Sequence, residues 1–258
     1  MRIPGAVRRL TDPLLERVPV PILAGANRGR LWSLVSIGSG HWNGRKEAER
    51  LRLLGALLGP GDVVWDAGAH HGYVALLAAA RVGPTGEVHA FEPSARNRRL
   101  LERHLRWNGA ATVHVHPFAL GASDGTATFG GGGTSKTLSL GGGGELVQVR
   151  SAKSVLAAGG CRAPSVFKID VEGAEAEVLV GAAGVVPDNA SLLVALHSGE
   201  SHARCTALVL AMGFRILASR SLEAALAGPW RGDPDMLCLG PARPAPERDE
   251  AALRASGL

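Results

Sequence analysis

The sequence predicts an α/β protein built on a doubly wound, mostly parallel sheet with helices on both faces. Short apolar segments alternate with helical stretches from about residue 62 to residue 239, which is the pattern of a sheet with crossover helices. The first apolar segment leads into Gly68 and Gly72, spaced for a tight turn,. The second ends in an acid, Glu92, and ligands of such sheets bind beyond the carboxyl ends of the strands.

Each predicted element follows from local pattern and from the residues that interrupt it. A leucine stripe at 51, 54, 57 and 58 predicts the first helix, which Gly59-Pro-Gly61 ends,. Gly83-Pro-Thr-Gly86 breaks the second helix before the second strand,. The predicted strands are 63–65, 87–92, 112–115, 127–129, 145–150, 165–170, 192–196, 214–218 and 236–239, and the predicted helices are 46–58, 73–81, 94–107, 151–158, 174–181 and 201–212.

The stretch from Asp66 to Tyr73 predicts a ligand-binding turn. Glycines admit positive φ and close approach of a ligand, and the helix from about Tyr73 points N–H groups back at whatever is bound. The central glycine of a dinucleotide fingerprint is absent,. Because the acid Asp66 would repel a diphosphate and attract a cation, a ligand with an ammonium or sulfonium group and a ribose fits better. An ordinary structural turn is the alternative.

Glu92 follows the second strand, where the two oxygens of an acid can bind both hydroxyls of a ribose,. Pro93 ends that strand. The alternative for Glu92 is an exposed loop acid. Its position directly after an apolar strand favours the ribose role.

Five motifs follow one another along the chain: Asp66–Tyr73, Phe91–Pro93, Asn108–Gly109, Ala119–Phe129 and Lys168–Glu175. In kind and order they resemble the motifs of the FkbM family of S-adenosylmethionine-dependent methyltransferases. The resemblance spans about Trp42 to Gly240 and implies a seven-stranded, Rossmann-like class I methyltransferase sheet. It also implies S-adenosylmethionine as the cofactor, residues near Ala119 against adenine, and a hydroxyl of a small molecule or glycan as the methyl acceptor, as in natural-product or glycan tailoring.

The residues predicted to bind the cofactor come from the glycine turn and from three later strand ends. One ring of the pair His70-His71 is expected to pack on the cofactor. The predicted set is Asp66, Gly68, His71, Gly72, Tyr73, Glu92, Pro93, Ala119 and Asp170.

Three residues are candidates for removing the proton of the acceptor hydroxyl: His197, Asp170 and Glu172,. His197 is favoured because an unperturbed imidazole has a pKa near 6.5. The alternatives are that Asp170 binds the amine of the cofactor, that Glu172 caps a helix, and that His197 is only a hydrogen-bonded strand-end histidine. The three groups are of the type that holds Mg²⁺ or Zn²⁺, but the spacing is not diagnostic, and no metal is expected. Lys168 lies within an apolar strand and is expected to pair with an acid.

The length of 258 residues predicts a single α/β domain with additional segments,. An N-terminal arm with a short helix near 10–17 is assigned to residues 1–41, the methyltransferase-like domain to 42–240, and a disordered tail to 241–258. Within the domain, residues 130–144 are too rich in glycine for a packed element. They are expected to form a flexible surface loop, or a lid that orders on substrate binding.

Composition restricts the class of partner. The net charge is +5, of which the first 30 residues carry +4, so the domain is near neutral and nucleic acid is not expected,. No apolar run approaches the roughly 20 residues of a membrane span. Three distant cysteines show neither metal-binding spacing nor a disulfide framework, which indicates a reducing, cytoplasmic setting,. Nothing indicates an oligomeric state.

Two other classes of function stay open. An NAD(P)-dependent oxidoreductase is disfavoured by the missing central glycine. A non-catalytic cofactor-binding scaffold, with the arm recruiting a partner, is suggested by the glycine-rich loop and by Lys153, which stands where the resembled family usually has an acid.

Overall fold

The computed structural model describes residues 13–44, 48–130, 137–139, 144–219 and 235–243. A seven-stranded sheet lies at the centre. Its strands are β3 (Val63–Ala67), β4 (Glu87–Phe91), β5 (Val113–His116), β10 (Val166–Ile169), β11 (Ser191–Ala195), β12 (Arg215–Ser219) and β13 (Asp235–Leu239). Their order in the sheet is β12-β13-β11-β10-β3-β4-β5.

Strand β13 pairs antiparallel with both of its neighbours, and the other pairs in this sheet are parallel. The connecting helices are α1 (Ala48–Leu57), α2 (Tyr73–Val82), α3 (Ala95–Trp107), α4 (Ala152–Ala157), α5 (Glu175–Ala182) and α6 (Gly199–Ala211). The predicted doubly wound, mostly parallel seven-stranded sheet is therefore confirmed, with element ends within a few residues of the predicted ones.

Two apolar clusters cover the two faces of the sheet because successive strand residues point to opposite sides. Val64 faces a cluster that includes Leu54 and Leu76 from helices α1 and α2. Trp65, the next residue, faces the other cluster with Phe167. All five residues of β3 are buried, as expected for the central strand of a parallel sheet.

The strand order reverses between β3 and β10, and this reversal positions the candidate site. From β3 the chain winds outward through β4 to β5, then returns to β10 on the other side of β3 and continues to β11. In open α/β sheets, ligands bind outside the carboxyl ends of the strands at such a switch point. The residues directly beyond these two strands are Gly68 and Asp170.

A second sheet of four strands was not predicted as a sheet. Its strands are β6 (Ala119–Leu120), β7 (Gly125–Gly130), β8 (Thr137–Ser139) and β9 (Glu145–Arg150), in the order β6-β9-β7-β8. The prediction that nothing in 130–144 is a packed element was wrong for Thr137–Ser139, which pairs antiparallel with β7. The other residues at 131–143 lie outside the described residues.

The N-terminal segment packs on helix α3 from residue 16 onward. It contains a small antiparallel pair, β1 (Pro19–Pro21) with β2 (Leu31–Ser33), and a 3-10 helix, Leu34–Ser39. The ring of Trp32 stacks on His104 with 3.8 Å between ring centroids. Glu16 accepts from Arg99 at 2.9 Å. Residues 13–15 of the predicted helix at 10–17 are helical, whereas residues 10–12 lie outside the described residues. So do residues 244–258 of the predicted tail at 241–258.

None of the helices within the described residues is both long enough and apolar enough to cross a bilayer.

Candidate active site

The turn after β3 has an unusual backbone conformation that only a few residue types adopt. Gly68, His70 and Gly72 have φ of 79°, 50° and 85°. A Cβ on Gly68 would overlap the carbonyl oxygen of Asp170, and one on Gly72 would overlap the side chain of Leu101. Both glycines are therefore required by conformation, as predicted, and also by packing of the chain itself. The turn after β3 and the chain beyond β10 meet at this point.

The carboxylate of Asp66 is buried and paired within the chain, and its predicted contact with the cofactor stays a prediction. Asp66 is fully buried, and its Oδ1 lies 2.9 Å from Nζ of Lys168. Strand register causes this, because Asp66 and Lys168 are directly paired residues on β3 and β10. Lys168 also donates to the carbonyl of Gly68 at 3.0 Å. The predicted pairing of Lys168 with an acid is confirmed, and the ion pair supports the turn from beneath.

Glu92 lies beyond β4, as predicted, but the chain itself uses most of its carboxylate. Oε2 accepts from the backbone N–H of His70 at 2.8 Å, and Oε1 accepts from Ser94 N–H at 2.9 Å and Asn97 Nδ2 at 3.2 Å. A carboxylate has about four acceptor positions, so one is left, on Oε2. The free position is on Oε2, and the predicted contact of Glu92 with ribose hydroxyls stays a prediction. Burial raises the pKa of Glu92, and these hydrogen bonds, which lower it, offset only part of that rise.

Asp170, Glu172 and His197 lie together beyond β10 and β11, as the sequence predicted. Nε2 of His197 lies 3.2 Å from Oδ1 of Asp170, and its Nδ1 lies 3.8 Å from Glu172. Helix α1 contributes Arg50, whose Nη1 donates to Asp170 at 2.8 Å. The ligand atoms of these first three residues all lie within 4.8 Å of one another, an arrangement that is also compatible with a metal ion.

The electrostatics of this cluster change the protonation state expected for His197. Burial opposes its charged form, but the hydrogen bond to Asp170 and the charges of Glu175, Asp170 and Glu172 outweigh burial and raise the pKa of His197 to about 9. The imidazole is therefore protonated at pH 7 in this state, and its ordinary pKa no longer supports a base. Against the cost of burial, Lys168, His197 and Arg50 lower the pKa of Asp170 far below its usual range.

Glu172 has a φ of 57° and, with His70, is one of two non-glycine residues with positive φ in the described part of the chain. Strained backbone conformations of this kind persist only where the surrounding structure stabilises them, and they cluster at functional sites. The buried Glu175 accepts from the backbone N–H of Gly173 at 2.9 Å and of Val171 at 3.2 Å. Glu175 therefore fixes the strained turn that presents Glu172.

The remaining predicted cofactor residues are packed in different surroundings. The ring of Tyr73 is buried and stacks on His41 with 4.6 Å between centroids. His71 stacks on His70 at 3.8 Å. Burial, then the charges of its neighbours, lower the pKa of His71 to about 2, so that ring is neutral. Pro93 is buried beside Glu92, and Ala119 is buried in β6.

Sequence reasoning missed Arg50 and Glu175 as parts of this cluster. Glu175 belongs to the Lys168–Glu175 motif, which offered a signal. Arg50 lies on a helix with an apolar stripe, and its contact with Asp170 spans 120 residues, so no local pattern indicated it.

Comparison with known proteins decides the family. The model of the methyltransferase FkbM domain matches residues 66–216, which include the glycine turn and Asp170, Glu172 and His197. The chain belongs to the FkbM methyltransferase family. A curated relative is the hexuronic acid methyltransferase AglP of Haloferax volcanii, which is 30% identical over 161 residues. The match covers 60% of this chain and 64% of AglP, so this FkbM methyltransferase spans less than two thirds of that relative.

Solved structures share the fold. The methyltransferase FkbM from Methylobacillus flagellatus KT has a TM-score of 0.55 and 19% identity, covering 91% of this chain and 60% of its own. A candidate rRNA-methylase from Clostridium thermocellum has a TM-score of 0.51 and 11% identity, covering 74% of this chain and 93% of its own. The FkbM methyltransferase described here therefore has the Rossmann-like class I methyltransferase fold.

Proposed function

We propose that this FkbM methyltransferase uses S-adenosylmethionine to methylate a hydroxyl oxygen of a small molecule or sugar. The observation that carries this function is the contact between the turn at Gly68 and the carbonyl of Asp170. It joins the glycine turn to the Asp170, Glu172 and His197 cluster in a single site at the switch point of the sheet. Class I sheets bind their ligands at this point.

The residues present fit a positively charged cofactor. S-adenosylmethionine supplies a methyl group carried on a sulfonium cation. Glu92 keeps one acceptor position for a ribose hydroxyl,. In the ion-paired cluster of the described residues, four formal carboxylates face three cations, which leaves one negative charge to balance the sulfonium. These carboxylates are Asp66, Asp170, Glu172 and Glu175, and these cations are Lys168, Arg50 and protonated His197.

His197 is the proposed general base, acting through Nδ1. Its Nε2 lies 3.2 Å from Asp170 and 3.3 Å from Glu175, so the Nε2–H stays donated to these carboxylates and fixes the tautomer. Nδ1 then takes the proton of the acceptor hydroxyl beside Glu172. Asp170 orients the ring and stabilises the imidazolium that forms, and a positioned base contributes about 10²–10⁴-fold to the rate.

This role requires the imidazole to be neutral when the acceptor binds. With a pKa of about 9 in the ligand-free site, His197 is mostly protonated at pH 7. The positive sulfonium of the bound cofactor disfavours the imidazolium and lowers the pKa of His197. We therefore expect kcat/KM for the acceptor, at saturating S-adenosylmethionine, to rise with pH along a limb below pH 9. In the enzyme without cofactor or acceptor, the pKa of the His197 imidazole is about 9.

The relative AglP suggests a first class of acceptor. Its name states that it methylates hexuronic acid, so sugars that carry a carboxylate are the first acceptors to test here. Neutral hexoses and small phenols form the comparison set.

The experiment is a methyl-transfer assay with radiolabelled S-adenosylmethionine over pH 5.5–10, using wild type, His197→Gln and His202→Gln. The control residue His202 lies on helix α6 outside the cluster. A base at position 197 predicts a rate loss of about 10²-fold or more in His197→Gln, loss of its alkaline rise, and a near-normal profile in His202→Gln.

Two outcomes would contradict these assignments. If wild-type activity falls rather than rises as pH approaches 9, the imidazolium is the form required and His197 is not the base. If calorimetry shows S-adenosylmethionine binding but no hydroxyl acceptor is methylated in the panel or in a cell lysate, the non-catalytic scaffold replaces the enzyme.

A further inference from the structure

A second cluster of metal-ligating side chains lies on the sheet, built from residues that take no part in the Asp170 cluster. His89 is the fully buried middle residue of β4, His116 ends β5, and Cys161 lies in the segment between α4 and β10. These three residues come from separate parts of the chain, and each directs one ligand atom toward a common point. The sequence predicted no metal-binding spacing for Cys161, because its partners are 45 and 72 residues away.

The distances match those of a tetrahedral zinc site. Nδ1 of His89 lies 3.1 Å from Nε2 of His116, and Sγ of Cys161 lies 3.4 Å and 3.7 Å from these two nitrogens. Zinc bonds of about 2.0–2.1 Å to nitrogen and about 2.3 Å to sulfur, at tetrahedral angles, separate nitrogens by about 3.3 Å and nitrogen from sulfur by about 3.6 Å. The point in the plane of the three ligand atoms that is equally distant from all of them lies about 2 Å from each, which is close to the length of a zinc bond,.

The surrounding residues hold these ligands in place. Oε2 of Glu87 lies 3.2 Å from Nε2 of His89, so the Nε2–H is donated to the carboxylate and Nδ1 is turned toward the cluster. This carboxylate–histidine arrangement is the usual support of a metal-bound histidine. Arg162, next to Cys161, donates to Glu87 at 2.9 Å, and its carbonyl accepts from Trp65 Nε1 at 3.0 Å.

We propose that His89, His116 and Cys161 form a binding site for one zinc ion. On binding, a zinc–sulfur bond forms as Cys161 releases its thiol proton to solvent, and each histidine coordinates as the neutral ring. A water molecule occupies the fourth position. Cys161 and His116 are only half-buried, which gives the ion access. The bound ion ties β4, β5 and the segment before β10 together.

Cobalt(II) is the probe, because it replaces zinc and reports its ligands by absorption. Protein stripped with chelator and then titrated with Co²⁺ should bind one equivalent and develop a sulfur-to-cobalt charge-transfer band, which one equivalent of Zn²⁺ abolishes. The Asp170, Glu172 and His197 cluster contains no sulfur, so metal bound there gives no such band.

Matched variants identify the ligands. Cys161→Ala should lose the band, whereas Cys205→Ala, which removes a buried cysteine outside the cluster, should keep it. His116→Ala should weaken Co²⁺ binding by at least tenfold, whereas His114→Ala, at a neighbouring exposed histidine, should not. Circular dichroism of each variant confirms that it is folded.

A second measurement covers the case in which a variant is poorly stable. Zinc should raise the midpoint of thermal unfolding of the wild type and leave that of Cys161→Ala unchanged, because only a folded state with the complete site binds the ion. Absence of the charge-transfer band in folded wild-type protein, or its persistence in Cys161→Ala, would overturn the zinc site and leave a hydrogen-bonded trio of side chains.

Discussion

Replacing Lys168 by Met should be among the most destabilising single changes in the sheet. The side chain of Lys168 is 4% exposed and that of its partner Asp66 is 0% exposed. Removal of one member of a buried ion pair costs about 3–5 kcal/mol because the other charge is left uncompensated. The carbonyls of Ala67 and Gly68 also lose a donor. We therefore expect Lys168→Met to lower the free energy of unfolding by about 4 kcal/mol.

The assay is urea denaturation of four proteins: wild type, Lys168→Met, Asp66→Asn and the double variant. Because the double variant removes both charges, its loss should be smaller than the sum of the single losses by about 2 kcal/mol. The matched control is Arg204→Met, at the exposed ion pair with Glu177 of 2.7 Å, which should cost less than about 1 kcal/mol. If Lys168→Met costs no more than Arg204→Met, the buried pair does not support the turn.

Three further predictions concern the site itself. Gly68→Ala should weaken S-adenosylhomocysteine binding at least tenfold in calorimetry, because its Cβ overlaps the carbonyl of Asp170. The control Gly83→Ala, at φ 67° with open space around it, should leave the affinity unchanged. Equal affinities of the two variants would contradict the contact. The raised pKa of His197, about 9, adds stability that is complete below pH 6.5 and is lost as pH rises through 9. Urea denaturation of wild type should therefore show a loss of about 3 kcal/mol between pH 6.5 and 10, which should be absent from His197→Gln. Glu92→Gln should lower cofactor affinity about tenfold, since an amide cannot accept at both atoms, and an unchanged affinity would exclude Glu92 from the ribose contact.

The strands and crossover helices could be predicted because each depends on local pattern. Val63, Val64 and Trp65 form a continuous apolar run, which is typical of a buried parallel strand. Gly68 and Gly72 have the positive φ that a tight turn requires. The family motifs then fixed the number of strands, and strand ends brought Asp170 and His197 to the same edge.

The roles of individual side chains depend on register across crossovers, which sequence spacing does not encode. The pairing of Asp66 with Lys168 could not be located from the sequence, because Lys168 lies about 100 residues later and is paired with Asp66 only by the alignment of β3 with β10. The raised pKa of His197 could not be predicted, because it depends on how closely Asp170, Glu172 and Glu175 surround the imidazole ring. For the same reason, the meeting of Cys161 with His89 had no sequence signal.

A crystal structure with S-adenosylhomocysteine tests most directly whether the cofactor binds at the switch point between β3 and β10. We expect the ribose to lie within hydrogen-bonding distance of Oε2 of Glu92, and the sulfur to face the space beside Asp170 and His197. A cofactor bound away from the turn at Gly68, or one whose sulfur faces away from Asp170 and His197, would contradict the proposed site.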